Sequence, residues 1–195
     1  MESKQNNLIN SLRSQPLIVL IRIEDQFFSL SQKREKLFLK IEQLSNYGIK
    51  NIEIGWNSNP EWINLILEIK KKFKSVNIGA ASISSRQSLD SILSLDLNYS
   101  MSPFFNKENH LKAIKYNQLV IPGISNIESF KEAIDLGYKV VKIFPASKLG
   151  INFIEKLKEL DKNDIFFIGA GGIKSKNFKK LIVSGYDALV IGREL

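Results

Sequence analysis

Cysteine is absent from the 195 residues, histidine occurs once, and no apolar run approaches the roughly 20 residues that a membrane-spanning helix needs. The first absence excludes disulfides and thiolate metal sites, and it fits a protein of the reducing cytoplasm. The second removes most zinc chemistry, because a lone imidazole cannot supply the usual ligand set. That residue, His110, stands between Asn109 and Leu111 in a helical stretch and reads as a surface residue rather than a ligand. The start of the chain is polar, and its first apolar run, residues 17–21, is too short for a signal-peptide core. No Gly-x-Gly-x-x-Gly follows that run, which argues against a dinucleotide-binding open sheet.

The chain does carry charge, a formal +8 at neutral pH. Its lysines are spread through the helical stretches instead of being gathered with aromatics on one element, so a nucleic-acid partner is not expected. An anionic small substrate is the better use of the charge. With 44% hydrophobic residues and this length, the chain forms one domain, residues 1–195, with a substantial core of its own.

Helical and strand patterns alternate throughout. An opening helix over residues 4–14 precedes a first strand at 17–22. Further strands are expected at 51–55, 76–80, 97–101, 119–123, 140–144, 165–168 and 188–191, separated by amphipathic helices. Eight strand–helix units in a chain this short predict an α/β fold, a closed (β/α)8 TIM barrel with an N-terminal helix.

A weak internal repeat runs through three of the units. Gly48, Gly137 and Gly185 each end a helix, and a strand follows. Glu53 and Lys142 both fall five residues after their glycines, on strands two and six. Alternate strands of such a barrel fill one interior layer, so the carboxylate and the amine are expected to face each other across it. Lys142 is anomalous in an apolar strand. Burial disfavours its ammonium form and frees the amine to attack a carbonyl, although a salt-bridged or snorkelling lysine fits the same pattern. Glu53 is then the available general acid and base, unless the two form a structural ion pair.

At the strand ends, Arg22 could hold a carboxylate or phosphate, or simply be solvated. Gly171 and Gly172 after strand seven, with Gly192 and Arg193 after strand eight, occupy the two loops where these barrels commonly bind phosphate. Ser125 and Ser147 have no histidine base within the barrel for triad chemistry.

On these residues the chain resembles the class I aldolases of 2-keto-3-deoxy-6-phosphosugar acids, the KDPG and KHG aldolase family. The resemblance rests on Ile52-Glu53-Ile54, Gly79-Ala80-Ala81-Ser82, Ser102-Pro103, Ile121-Pro122-Gly123-Ile124-Ser125, Gly171-Gly172-Ile173 and above all Val141-Lys142-Ile143-Phe144-Pro145. It implies a metal-free, cofactor-free homotrimer that reversibly cleaves 2-keto-3-deoxy-6-phosphogluconate to pyruvate and glyceraldehyde 3-phosphate, or 4-hydroxy-2-oxoglutarate to pyruvate and glyoxylate. Lys142 would be the Schiff-base lysine and Glu53 the acid and base. Arg22, Ser82 and Asn57 would contact substrate, Pro103 and Phe144 would pack pyruvate, and Gly171, Gly172, Gly192 and Arg193 would take the phosphate.

Four positions depart from the commonest pattern: Asn57 for an arginine, Ser82 and Ala170 for threonines, and Arg193 for a serine. Asn57-Ser58 is closer to the branch acting on the galactonate epimer, and a phosphometabolite-binding barrel with little turnover is the competing reading. Family members also carry a further helix after strand eight, where this chain ends at Leu195. The expectation is a barrel lacking that last helix.

Overall fold

The computed structural model describes residues 1–24, 28 and 31–192. Its parallel strands are β1 (Leu17–Ile21), β2 (Asn51–Gly55), β3 (Asn77–Ala81), β4 (Tyr99–Met101), β5 (Val120–Ile121), β6 (Gly123–Ile124), β7 (Val140–Ile143), β8 (Phe166–Gly169) and β9 (Ala188–Ile191). They form one sheet in the order β5-β4-β3-β2-β1-β9-β8-β7-β6. Between them run α2 (Ser31–Asn46), α3 (Glu61–Lys72), α4 (Arg86–Leu93), α5 (Lys107–Lys115), α6 (Ile127–Asp135), a short α7 (Ala146–Leu149), α8 (Ile151–Leu160) and α9 (Phe178–Val183), with α1 (Glu2–Ser14) ahead of them all. This is the expected α/β barrel.

The expected fifth strand is divided at Pro122, which has no N–H to give to a ladder. The segment serves both neighbours instead. Leu119 and Ile121 accept from the amides of Ser100 and Ser102 at 2.8 and 3.0 Å, while Pro122 and Ile124 accept from Lys142 and Phe144 at 2.9 and 3.1 Å. Backbone bonding thus passes from β4 through this segment to β7 and closes the ring.

The strands are buried along their whole lengths in β2, β7, β8 and β9, as expected of a parallel sheet covered on both faces. Outside it, α3 shows how the helices attach. Trp62, Leu65, Ile66 and Ile69 form one buried stripe, and the Trp62 indole donates to the Gly55 carbonyl at 2.9 Å. At about 1.5–3 kcal/mol for each large apolar side chain buried, that face outweighs the entropy of ordering the three lysines in its last turn.

The repeat glycines do what their positions suggest. At Gly137 the backbone turns left-handed with φ 83°, and the amides of Gly137 and Tyr138 cap the Ile134 and Ala133 carbonyls of α6. The opening helix α1 lies across the N-terminal ends of the strands. Its buried Gln5 donates to the Gly137 carbonyl and accepts from the Lys139 amide, and Ser11 joins a polar cluster with Asn51 and Asn77. Among the described residues, α1 thus covers the end of the barrel opposite the C-terminal ends of the strands.

Candidate functional site

At the C-terminal ends of the strands a cavity of about 490 Å³ reaches Lys142 and Glu53. The sheet register explains how they meet. Glu53 pairs with Leu20 and Gly79, Lys142 with Gly123 and Ile168, and the stagger of a barrel brings residues four strands apart back to one level. Lys142 is 6% exposed and Glu53 2% exposed.

Burial pushes the Lys142 ammonium down to about 8, with the charge of Glu53 opposing. Burial likewise pushes the Glu53 carboxyl up to about 7, with the charge of Lys142 opposing. Each group senses the other, yet among the described residues neither enters an ion pair. Glu53 Oε1 is enclosed without a protein hydrogen-bond partner. A structural salt bridge would have closed that gap. The open arrangement leaves an amine that can shed its proton and a carboxyl that can take one, which is the arrangement proton transfer at neutral pH requires.

The walls come from the strand ends. Phe144 places its ring centroid 5.2 Å from Lys142 Nζ, and Pro103 faces the same space from beyond β4. Arg22, exposed beyond β1, and Ser82, beyond β3, line the mouth. Ser82 sits at φ 66°, a conformation that strains a side-chain-bearing residue and recurs where a site dictates backbone direction.

Across the mouth, Gly171 and Gly172 take φ of 90° and 71°. A Cβ on Gly172 would lie 2.1 Å from Ser147 Oγ, and one on Gly171 would lie 2.8 Å from the Phe144 ring. Only glycine lets this turn press against the segment that follows β7. Backbone bonds from Ala146 to Ala170 and from Ser147 to Gly171, at 2.7 and 3.1 Å, hold the two loops together. Gly192 lines the same cavity. Arg193 lies outside the described residues.

The family of KDPG and KHG aldolases matches residues 8–195. The chain belongs to that family. A 2-dehydro-3-deoxy-6-phosphogalactonate aldolase of Escherichia coli K12 is 27% identical over 149 residues, covering 76% of this chain and 72% of that one. A 2-dehydro-3-deoxy-phosphogluconate aldolase of Treponema pallidum is 24% identical over 117 residues, 60% of this chain and 56% of that one. Among solved structures, the KDPG aldolase of Legionella pneumophila, with pyruvate captured as a covalent carbinolamine, superposes with a TM-score of 0.79 at 22% identity, over 94% of this chain and 85% of that one.

Within this aldolase-family barrel, three residues are placed differently from expectation or were not foreseen. Asn57 does not line the cavity. It is buried, and its Oδ1 accepts from the Asn59 amide at 2.9 Å, a local turn that leads the chain into α3. Lys148, on α7, lines the cavity and adds a cation to the glycine side of it. Periodicity could not find it, because the direction of a side chain on one helical turn after a strand is not set by any repeat.

His110 is the third, and it corrects the surface assignment. It is 1% exposed, stacked on Phe105 with centroids 5.1 Å apart. Its Nδ1 meets the Tyr138 hydroxyl at 2.8 Å and its Nε2 meets Ser102 Oγ at 3.3 Å. Burial pushes the imidazolium down to about 4, so the ring is neutral and structural, standing behind the Ser102–Pro103 wall. The signal was available: His110, Ala113 and Ile114 share one helical face, and Ala113 is buried on it.

Proposed function

We propose that the protein is a class I aldolase acting on a 2-keto-3-deoxy-6-phosphosugar acid. The 6-phosphogluconate derivative is its first substrate, and 4-hydroxy-2-oxoglutarate, a shorter dicarboxylate without a phosphate, is the alternative. The observation that carries this reading is the buried, unpaired Lys142–Glu53 couple at the base of an open cavity. The reaction begins with the neutral Lys142 amine adding to the C2 ketone to give a carbinolamine. Glu53 delivers the proton that lets hydroxide leave as water, and an iminium remains.

Glu53 then accepts the C4 hydroxyl proton. The C3–C4 bond breaks, its electron pair flows into the iminium to give an enamine, and the aldehyde departs. The enamine carbon takes the proton back, and hydrolysis releases pyruvate and the free amine. Phe144 and Pro103 pack the three-carbon end. Arg22 and Ser82 hold its carboxylate, and the Gly171–Gly172 amides with Lys148 receive the phosphate. The assembly is a cytoplasmic homotrimer.

Borohydride added in the presence of pyruvate is expected to leave a reduced pyruvyl adduct on Lys142, located by mass spectrometry of peptides. An unmodified Lys142 overturns the reading. The galactonate epimer is the second reading, favoured by Asn57-Ser58 and by the E. coli relative. Comparing kcat/KM for the two epimers decides it.

The electrostatics of the couple give a further expected outcome. The rate of adduct trapping should rise between pH 6 and pH 8.5 as the amine, with its pKa at about 8, loses its proton. In Glu53→Gln the carboxylate no longer helps to hold that proton, so the rise moves to lower pH, while kcat falls by ~10²–10⁴-fold for want of the proton carrier. An unshifted trapping profile in Glu53→Gln would contradict the coupling.

A further inference from the structure

Beneath the Lys142–Glu53 layer the barrel interior holds polar groups that the reaction described above does not use. Tyr99 on β4 is fully buried. Its ring lies across β3 at Gly79: a Cβ there would be 2.6 Å from both Cε2 and Cζ of the tyrosine. Gly79 is register-paired with Tyr99 on one side and with Glu53 on the other. The glycine thus opens a passage through which the phenol end reaches toward the strand that carries the carboxyl.

Asn51 lies two residues before Glu53 on the same inward face of β2. In a barrel whose level climbs one residue per strand, Asn51 and Tyr99 share the layer directly below. The orientation of the Asn51 amide is settled by its neighbours. Its Oδ1 accepts from Ser11 Oγ and Asn77 Nδ2, each at 3.0 Å, so Nδ2 points elsewhere. Asn51 Nδ2, Tyr99 OH and Glu53 Oε1 are all enclosed, and none has a protein hydrogen-bond partner.

One donor, one acceptor and one hydroxyl that can do either form a complementary set. Leaving three such atoms dry would cost far more than holding one solvent molecule among them, and an enclosed water typically makes two to four such bonds. We propose that Tyr99 is a positioning residue for Glu53, its hydroxyl tied to Oε1 through one enclosed water that Asn51 Nδ2 also holds.

Burial, and after it the charge of Glu53, keeps the Tyr99 phenol protonated and therefore a donor. The groups facing Glu53 are then Lys142 from β7, Tyr99 from β4 and Asn51 from its own strand, with Gly79 of β3 contributing none. Arg22 and Lys148 stand at the mouth of the same cavity. A hydrogen bond donated to the ionised carboxyl favours that form. The tyrosine therefore fixes which oxygen faces substrate and keeps the carboxyl from drifting further toward permanent protonation.

This inference rests on the aldolase reading, and Tyr99→Phe tests it while preserving the ring that fills the space over Gly79. The expected result is a kcat lower by ~10-fold, KM within ~2-fold of native, and an acid limb of the kcat profile moved upward by ~0.5–1 pH unit. The borohydride adduct on Lys142 should still form. A Tyr99→Phe profile that superposes on the native one, with the adduct intact, overturns the inference alone; failure of native Lys142 to form the adduct overturns the aldolase reading. A high-resolution crystal structure of the native enzyme gives a check independent of any variant. Solvent density in hydrogen-bonding contact with Tyr99 OH, Asn51 Nδ2 and Glu53 Oε1 is expected, and its absence refutes the bridge.

Discussion

Lys142→Met is expected to lower kcat/KM by more than ~10⁴-fold, because no other amine can take over the covalent step. Lys148 shares the cavity but stands exposed on α7, on the far side of Phe144 in the chain. Methionine matches the length and flexibility of the lysine stem, so packing survives the change. A coupled assay for pyruvate release measures the loss, and the borohydride adduct should vanish with it.

Stability should move the other way once Glu53→Gln is added. The Glu53 contribution is fully present below the ordinary carboxyl value of 4.5 and is lost as pH rises through about 7. The Lys142 contribution is present above the ordinary value of 10.5 and is lost as pH falls through about 8. Near neutrality the native fold has the benefit of neither. Replacing the couple by Met and Gln should therefore stabilise the protein at pH 7, read as a raised denaturant midpoint. A lower midpoint would mean that the couple supports the fold rather than the chemistry.

Gly123→Ala should be costly in both stability and rate. A Cβ at this position would sit 2.4 Å from the carbonyl carbon and oxygen of Pro103 and 2.7 Å from the Phe104 amide nitrogen. These are backbone atoms that cannot swing aside as a side chain can. Relief requires the Ser102–Pro103 loop to move away from β6, weakening the 3.3 Å bond from the Gly123 amide to Ser102 Oγ. The expected destabilisation is about 2–3 kcal/mol, as for overpacking of a closed interior.

Because Pro103 lines the cavity and Gly123 pairs with Lys142, the same shift misplaces the substrate wall, and kcat should fall by ~10²-fold. Gly55→Ala is the control. There the nearest atom is Arg22 Cα at 3.5 Å, an ordinary contact, so both readouts should stay close to native. Equal damage from the two substitutions would point to backbone freedom rather than the Pro103 contact.

Much of this arrangement is legible in the residues before any coordinates, for a physical reason. Strand and helix alternation follows from hydrophobic period, and the stagger of a closed barrel converts equal spacing after Gly48 and Gly137 into opposition of Glu53 and Lys142. What escapes is set by contacts that no period encodes. Asn57 takes a local hydrogen bond and does not line the cavity. His110 is drawn inside because Tyr138 and Ser102 satisfy both of its nitrogens, so its polarity says little about its exposure. The passage for Tyr99 exists only because Gly79 has no side chain, and nothing in either residue alone announces the pairing.

The division of the fifth strand at Pro122 has a last consequence. The cylinder is sewn shut along a single seam, and the Pro122 carbonyl that fastens one side of it takes its hydrogen bond from the amide of Lys142 itself. Glu53 on β2 and the amine on β7 are joined one way round through β1, β9 and β8, and the seam joins them the other way. Without the seam β7 would be left with one open edge, so closure of the cylinder fixes the strand that carries the amine. Slow deuterium uptake at the Lys142 amide is the signature of a sewn cylinder.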